Sequence, residues 1–152
     1  MKSLRRGIAA AGLLCGVALL SGCAEKGDPA REALDRIVKA ARERDASAVV
    51  AQLANDYRDA SANARADVEQ MLRGYFAAYE IVDVALHDVT VERAEGAALA
   101  RFRADLSGQP RQAAGVAGLL PSSASYRFEV RLAPEGPRWK VAWASWEPDS
   151  GQ

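Results

Sequence analysis

From Pro29 onward the apolar positions keep a helical rhythm, and from Glu80 onward they keep a rhythm of two. Leu34, Ile37, Val38 and Ala41 recur three and four apart, with Arg31, Arg36, Arg42 and Glu43 elsewhere, which predicts an amphipathic helix. Asp28 can cap it, and Pro29 fits its first position, where a missing N–H donor costs nothing. Asp45 or Ser47 starts a second, shorter helix carrying Val49, Val50 and Leu53, which residues 55–63 interrupt. Ser61 or Asn63 starts a third, on which Val68, Met71, Leu72, Tyr75, Phe76 and Tyr79 form a broad apolar stripe.

The second half reads as four strands. The stretch 80–93 is rich in β-branched residues; Val82, Val84 and Leu86 share one parity and Val89 and Val91 the other, which predicts a bulge near His87 and Asp88. In the stretch 97–106, Ala98, Ala100, Phe102 and Ala104 oppose Arg101, Arg103 and Asp105; in 125–132, Tyr126, Phe128 and Val130 oppose Arg127, Glu129 and Arg131. After a turn signal over 133–137, the stretch 138–146 closes the set with Trp139, Val141 and Trp143 on one face. Helices first and an antiparallel sheet after give an α+β layout, with N-terminal helices packed in a curved four-stranded sheet. The connection from Ser107 to Ser123 is longer than a usual hairpin loop. Its apolar centre, 115–120, is expected either to plug the core or to form a lid or partner contact.

Ahead of the helices the pattern is different. Lys2, Arg5 and Arg6 precede an apolar stretch from Ile8 to Leu20, too short for the roughly 20 residues that a transmembrane helix needs. Leu20, Ser21, Gly22 and Cys23 follow, and this box resembles the bacterial lipoprotein signal at all four positions. The resemblance implies cleavage before Cys23, a thioether-linked diacylglycerol on its sulfur and usually an acylated amino group, palmitate being the usual type of chain. The expected organisation is a signal peptide over 1–22, a lipidated tether over 23–28, a domain over 29–148 and a tail over 149–152. Ala24 rather than Asp after the Cys implies the periplasmic face of the outer membrane.

Composition then narrows the chemistry. Removal of the signal takes Cys15, and acylation takes Cys23, so the rest of the chain has neither thiol nor disulfide. The signal also takes Lys2, Arg5 and Arg6 but no acid, so acidic side chains then outnumber basic ones, and there is no basic surplus for nucleic acid. The single His87 excludes a multi-histidine metal site, and no metal or other cofactor is expected. Much of the 49% apolar content is alanine, so the core rests on a limited set of larger residues.

The layout also resembles the nuclear transport factor 2-like superfamily, the cystatin-like or polyketide-cyclase-like cones. The resemblance is carried by the apolar helix from Pro29, the aromatic "MLRGYFAAYE", the bent "YEIVDVALHDVTV", the alternating "ALARF" and the closing "WKVAWASW". It implies a sheet wrapped around the helices, an open end that holds a ligand, and a far face that docks a second subunit, hence a homodimer. Phe102, Tyr126, Phe128 and Trp143 would face inward with Tyr75, Phe76 and Tyr79, and Tyr79, Phe102, Tyr126 and Trp143 are the candidate binding residues.

Enzymes of that superfamily, such as ketosteroid isomerases and scytalone dehydratases, place carboxylates, Tyr or His inside the cone as acids and bases. The groups available here are Tyr57, Tyr79, Asp83, His87, Asp88 and Tyr126, yet no inward position of 97–106 or 125–132 carries a carboxylate. The expected function is therefore a membrane-anchored binding or scaffolding domain for a protein partner or a hydrophobic small ligand. The alternative is a lyase, isomerase or cyclase using His87, Asp88 and Tyr57. Arg101, Arg103, Arg127, Arg131 and Lys140 share the outer sheet face and offer either a strip for anionic partners or a solvated, ion-paired surface.

Overall fold

Asp28 accepts hydrogen bonds from the backbone N–H groups of Ala30 (2.9 Å) and Arg31 (3.3 Å), and α1 (Pro29–Arg42) begins there, as its sequence predicts. The computed structural model describes residues 27–112 and 120–150; the signal segment, Cys23 and most of the apolar centre of the 107–123 connection lie outside them. After α1 come α2 (Ala46–Val50), β1 (Leu53–Asp59), α3 (Arg65–Ala78), β2 (Tyr79–Ala94), β3 (Ala97–Pro110), β4 (Ser123–Glu135) and β5 (Arg138–Pro148). The helices pack on a curved sheet of order β1-β5-β4-β3-β2.

That sheet has five strands where the pattern predicted four. The extra one is β1, within the stretch expected only to interrupt a helix, and it runs parallel to β5 while all other neighbours are antiparallel. Its apolar signal is weak for two reasons. The register slips between Leu53 and Arg58, which breaks strict alternation, and the strand buries Asp59. The Asp59 carboxylate accepts from the N–H groups of Ser61 and Asn63 and from the Asn63 amide, at 2.8, 2.9 and 2.9 Å. These bonds fix the β1–α3 turn, so neither Ser61 nor Asn63 caps α3. The helix starts instead at Arg65, where the Asp67 carboxylate accepts from the Ala64 N–H at 2.8 Å.

Two bulges decide which side chains face the helices. The expected one in β2 is present: the register shifts between His87 and Thr90, and Asp88 takes φ +53°, a left-handed conformation that Asp tolerates better than most residues. The second is in β5. Leu132 pairs with Val141 but Arg131 pairs with Trp143, so Ala142 is an extra residue and every later side chain changes face. This corrects the inward placement of Trp143, which lies on the outer face beneath Arg131, 4.7 Å from guanidinium to ring centroid. Trp146 takes the inward place, opposite Phe128.

The core is built from small residues. Ala30, Ala33 and Leu34 of α1 meet Ala98, Ala100, Val130, Leu132, Val141 and Ala144 of the sheet, and the alanines let helix and sheet approach closely. A second cluster joins Ala46, Phe76, Tyr79, Val82 and Val84. The free edge of β2 is covered at one point by an ion pair: Arg42 donates to Val84 O (2.7 Å) and to Asp83 (2.7 Å), while Asp83 accepts from Val84 N–H (2.9 Å). Both hydrogen-bonding groups of Val84 are thus filled by side chains, a guard against pairing with another strand.

Candidate functional site

The parity of β3, β4 and β5 sets three aromatic rings side by side on the concave face. Phe102 is paired across strands with Phe128, and Phe128 with Trp146; their ring centroids lie 5.2 and 5.9 Å apart with interplanar angles of 12° and 29°. Tyr126 meets Phe128 edge to face at 6.4 Å. Tyr75, from the last turn of α3, stacks on Tyr79 at 4.4 Å, and the Tyr79 hydroxyl donates to Pro121 O at 2.7 Å. Gly108 makes room for that tyrosine, because a Cβ there would sit 2.7 Å from the Tyr79 ring. Burial, followed by the neighbouring Tyr79 and Tyr126 hydroxyls, pushes the Tyr75 phenol up, so these three tyrosines form one group.

This group marks the end of the sheet where β2 and β4 begin and β3 and β5 finish, the mouth of the cone. Tyr79 and Tyr126 lie there, each near the start of its strand, whereas Phe102 sits mid-strand in β3, opposite Phe128 and eight residues before Pro110. Trp143 is not at the mouth, and Trp146, which sequence reasoning missed, is there with 42% of its surface exposed. A signal for it existed: Trp139, Val141 and Trp143 share one parity while Ala144 and Trp146 share the other. That is the same change of phase that reveals the bulge in β2.

The acid–base candidates do not converge. His87 lies on the outer face, its Nε2 3.0 Å from Asp105 Oδ2, and Ser125 Oγ donates to the other carboxylate oxygen at 2.8 Å. The Ser125 hydrogen bond first, then the charges of Arg103 and His87, hold the Asp105 carboxyl below its ordinary value. Asp88 projects into solvent at the bulge, and Asp83 is engaged by Arg42 at the β2 edge. Tyr57 is only 3% exposed and packs in the α1–sheet core. Among the described residues no group of three His, Cys, Asp or Glu is arranged to hold a metal ion.

Burial, with a smaller contribution from Asp59, pushes the Tyr57 phenol up to about 12. The folded chain therefore retains this proton between pH 10 and 12 while the unfolded chain releases it. Stability is intact below pH 10 and falls as pH rises through that interval, by roughly 2 to 3 kcal/mol at full ionisation. Tyr57→Phe is expected to remove that part of the alkaline loss, seen as a flatter unfolding free energy against pH in urea titrations. An unchanged profile would place the loss elsewhere.

Four of the five cations of the outer basic strip are ion-paired, and the fifth, Arg131, lies over the Trp143 ring. Arg101 pairs with Glu92 (2.7 Å) and Glu129 (2.9 Å), Arg127 with Glu147 (3.2 Å), Arg103 with Asp105 (3.4 Å) and Lys140 with Glu135 (2.8 Å). Two open depressions of about 360 and 610 Å³ lie on the helical side, the first lined by residues between Asp35 and Glu43, the second by residues 43–47 with Arg73, Phe76 and Ala77. Neither is lined by the mouth aromatics.

Helices on a curved sheet, with the strand order and mouth described, can be set against solved structures. A proposed scytalone dehydratase from Novosphingobium aromaticivorans superposes with a TM-score of 0.69 at 9% identity, over 80% of this chain and 82% of that one. A proposed dehydratase of the nuclear transport factor 2-like family from Streptomyces avermitilis gives 0.67 at 14% identity, over 81% and 96%. The fold is nuclear transport factor 2-like. The same domain matches part of a larger chain, Bd1075 of Bdellovibrio bacteriovorus, with a TM-score of 0.66 at 10% identity, spanning 81% of this chain and 40% of that one. No family model and no curated protein sequence matches the chain. At these identities the nuclear transport factor 2-like assignment is one of architecture, and the chemistry must be argued from the side chains present.

Proposed function

We propose that the chain is a lipid-anchored protein of the bacterial cell envelope, on the periplasmic face of the outer membrane. Its nuclear transport factor 2-like domain binds an apolar or aromatic ligand at the mouth without transforming it. The observation that carries the binding reading is the Phe102–Phe128–Trp146 stack, partly buried at Phe102 and Phe128, exposed at Trp146 and flanked by Tyr126. The neighbouring positions of the same sheet face, Val82, Val84, Ala104, Leu106 and Ala124, carry neither carboxylate nor imidazole. An acid–base mechanism needs two groups of matched pKa within hydrogen-bonding reach of one substrate atom, and among the described residues the concave face at the mouth offers phenols alone.

The lyase, isomerase or cyclase reading draws on two neighbours described as dehydratases and on the hydroxyl group of Tyr75, Tyr79 and Tyr126. In that reading Tyr126→Phe and Tyr79→Phe abolish turnover, whereas in the binding reading they leave affinity for apolar probes nearly intact.

The test uses the fluorescent probe 8-anilinonaphthalene-1-sulfonate with the folded chain. Saturable binding is expected, and Trp146→Ala is expected to weaken it about tenfold, equivalent to about 1.4 kcal/mol, a reasonable value for one stacked ring. Equal affinity in wild type and Trp146→Ala, at matched thermal stability, would remove the mouth as the binding site.

A further inference from the structure

The start of α1 and the mouth stand at opposite ends of the cone. Asp28 pairs with Arg93, which lies just before the turn joining β2 to β3. The Arg93 guanidinium lies 5.7 Å over the Trp139 ring, just after the turn joining β4 to β5. Residue 28 is thereby latched to the hairpin end. From there β3 runs the full length of the sheet, from Ala97 to Pro110 at the mouth, a path on the order of 40 Å at about 3.3 Å per residue. The chain from Cys23 to Asp28, by contrast, reaches at most roughly 18 Å when fully extended.

Resting on the reading that Cys23 carries the lipid, we infer that the domain stands on the bilayer with its hairpin end toward the lipid headgroups and its mouth toward the aqueous space. A tether of that reach cannot carry residue 28 around the body of the domain, so the mouth cannot be pressed against the membrane. Charge does not set the orientation. At the hairpin end Arg31, Arg93, Arg138 and Lys140 are matched in number by Asp28, Glu32, Glu95 and Glu135, which leaves no surplus for anionic lipid. The orientation is therefore insensitive to salt. A ligand entering at the mouth arrives from water or from a soluble macromolecule, not out of the lipid.

Single cysteines test this, since the processed chain offers no other free thiol. The acylated protein carrying Glu95→Cys (hairpin end) or Gln109→Cys (mouth), neither of them a core position, is labelled with a fluorophore. It is then reconstituted into phosphatidylethanolamine–phosphatidylglycerol vesicles containing a headgroup-nitroxide lipid. Quenching several-fold stronger at residue 95 than at residue 109, at both low and high salt, is expected. Equal quenching, or stronger quenching at residue 109, would overturn the orientation while leaving the anchor intact. Failure of the protein to float with the vesicles would instead overturn the anchor reading itself. Arg138→Cys, on the neighbouring hairpin, repeats the measurement at an independent site and must agree with residue 95.

Discussion

Leu132→Ala is expected to lower the unfolding free energy by about 3 to 4 kcal/mol, the upper part of the range for buried leucines. Leu132 is 1% exposed, lies between Ala98 and Val141 in the sheet, and faces Ala30, Ala33 and Leu34 of α1. The cost of such a truncation depends on how far the surroundings collapse into the vacated space, and here they have little to offer. Three of these five neighbours are alanines with no rotamer to swing inward. The start of α1, which would have to move, is held by the Asp28 cap, by Pro29 and by the Asp28–Arg93 pair. Domains of this kind are stable by on the order of 10 kcal/mol in total, so the loss is a large fraction. Urea unfolding measures it directly. Leu99→Ala, on the outer face of β3, serves as the control and is expected to cost less than about 1 kcal/mol. Equal losses for the two would mean that the helices do not cover the concave face as described.

The same small-residue core explains which features were legible in the sequence. The cap and first turn of α1 follow from local chemistry, Asp28 before Pro29, and local chemistry is what a linear pattern records. The β2 bulge was legible because valines change parity on either side of His87 and Asp88. The bulge in β5 has the same cause and the same trace, but the run Trp139, Val141, Trp143 is so regular that it conceals the phase change to Ala144 and Trp146. That bulge turns Trp143 outward, where its ring is covered by the Arg131 guanidinium. β1 was hidden because half its residues are polar and its one buried carboxylate, Asp59, is satisfied by the following turn. The mouth was partly legible: alternation puts Phe102, Tyr126 and Phe128 on one sheet face, whereas Tyr79, read as the end of the third helix's apolar stripe, is the first residue of β2. The separation of His87 and Asp105 from that mouth depends on which face a bulged strand presents, and that is a matter of tertiary register.

Cys23→Ser is expected to abolish incorporation of labelled palmitate and to move the protein from the membrane pellet to the soluble fraction, an all-or-none change in partition. Each buried methylene contributes roughly 0.8 kcal/mol, so one acyl chain gives marginal attachment while two or three give an anchor that does not dissociate during fractionation. Nothing else identified in the chain replaces it. Among the described residues no helix is long and apolar enough to cross a bilayer, the apolar stretch from Ile8 to Leu20 falls short of a span, and four of the five cations on the outer sheet face are engaged in ion pairs. Cys15→Ser supplies the matched control, a thiol lost upstream of the box, and is expected to change neither labelling nor fractionation. Retention of Cys23→Ser in carbonate-washed membranes with label still incorporated would mean that another group carries the lipid. The hairpin-down orientation would then lose the short tether on which its geometry depends.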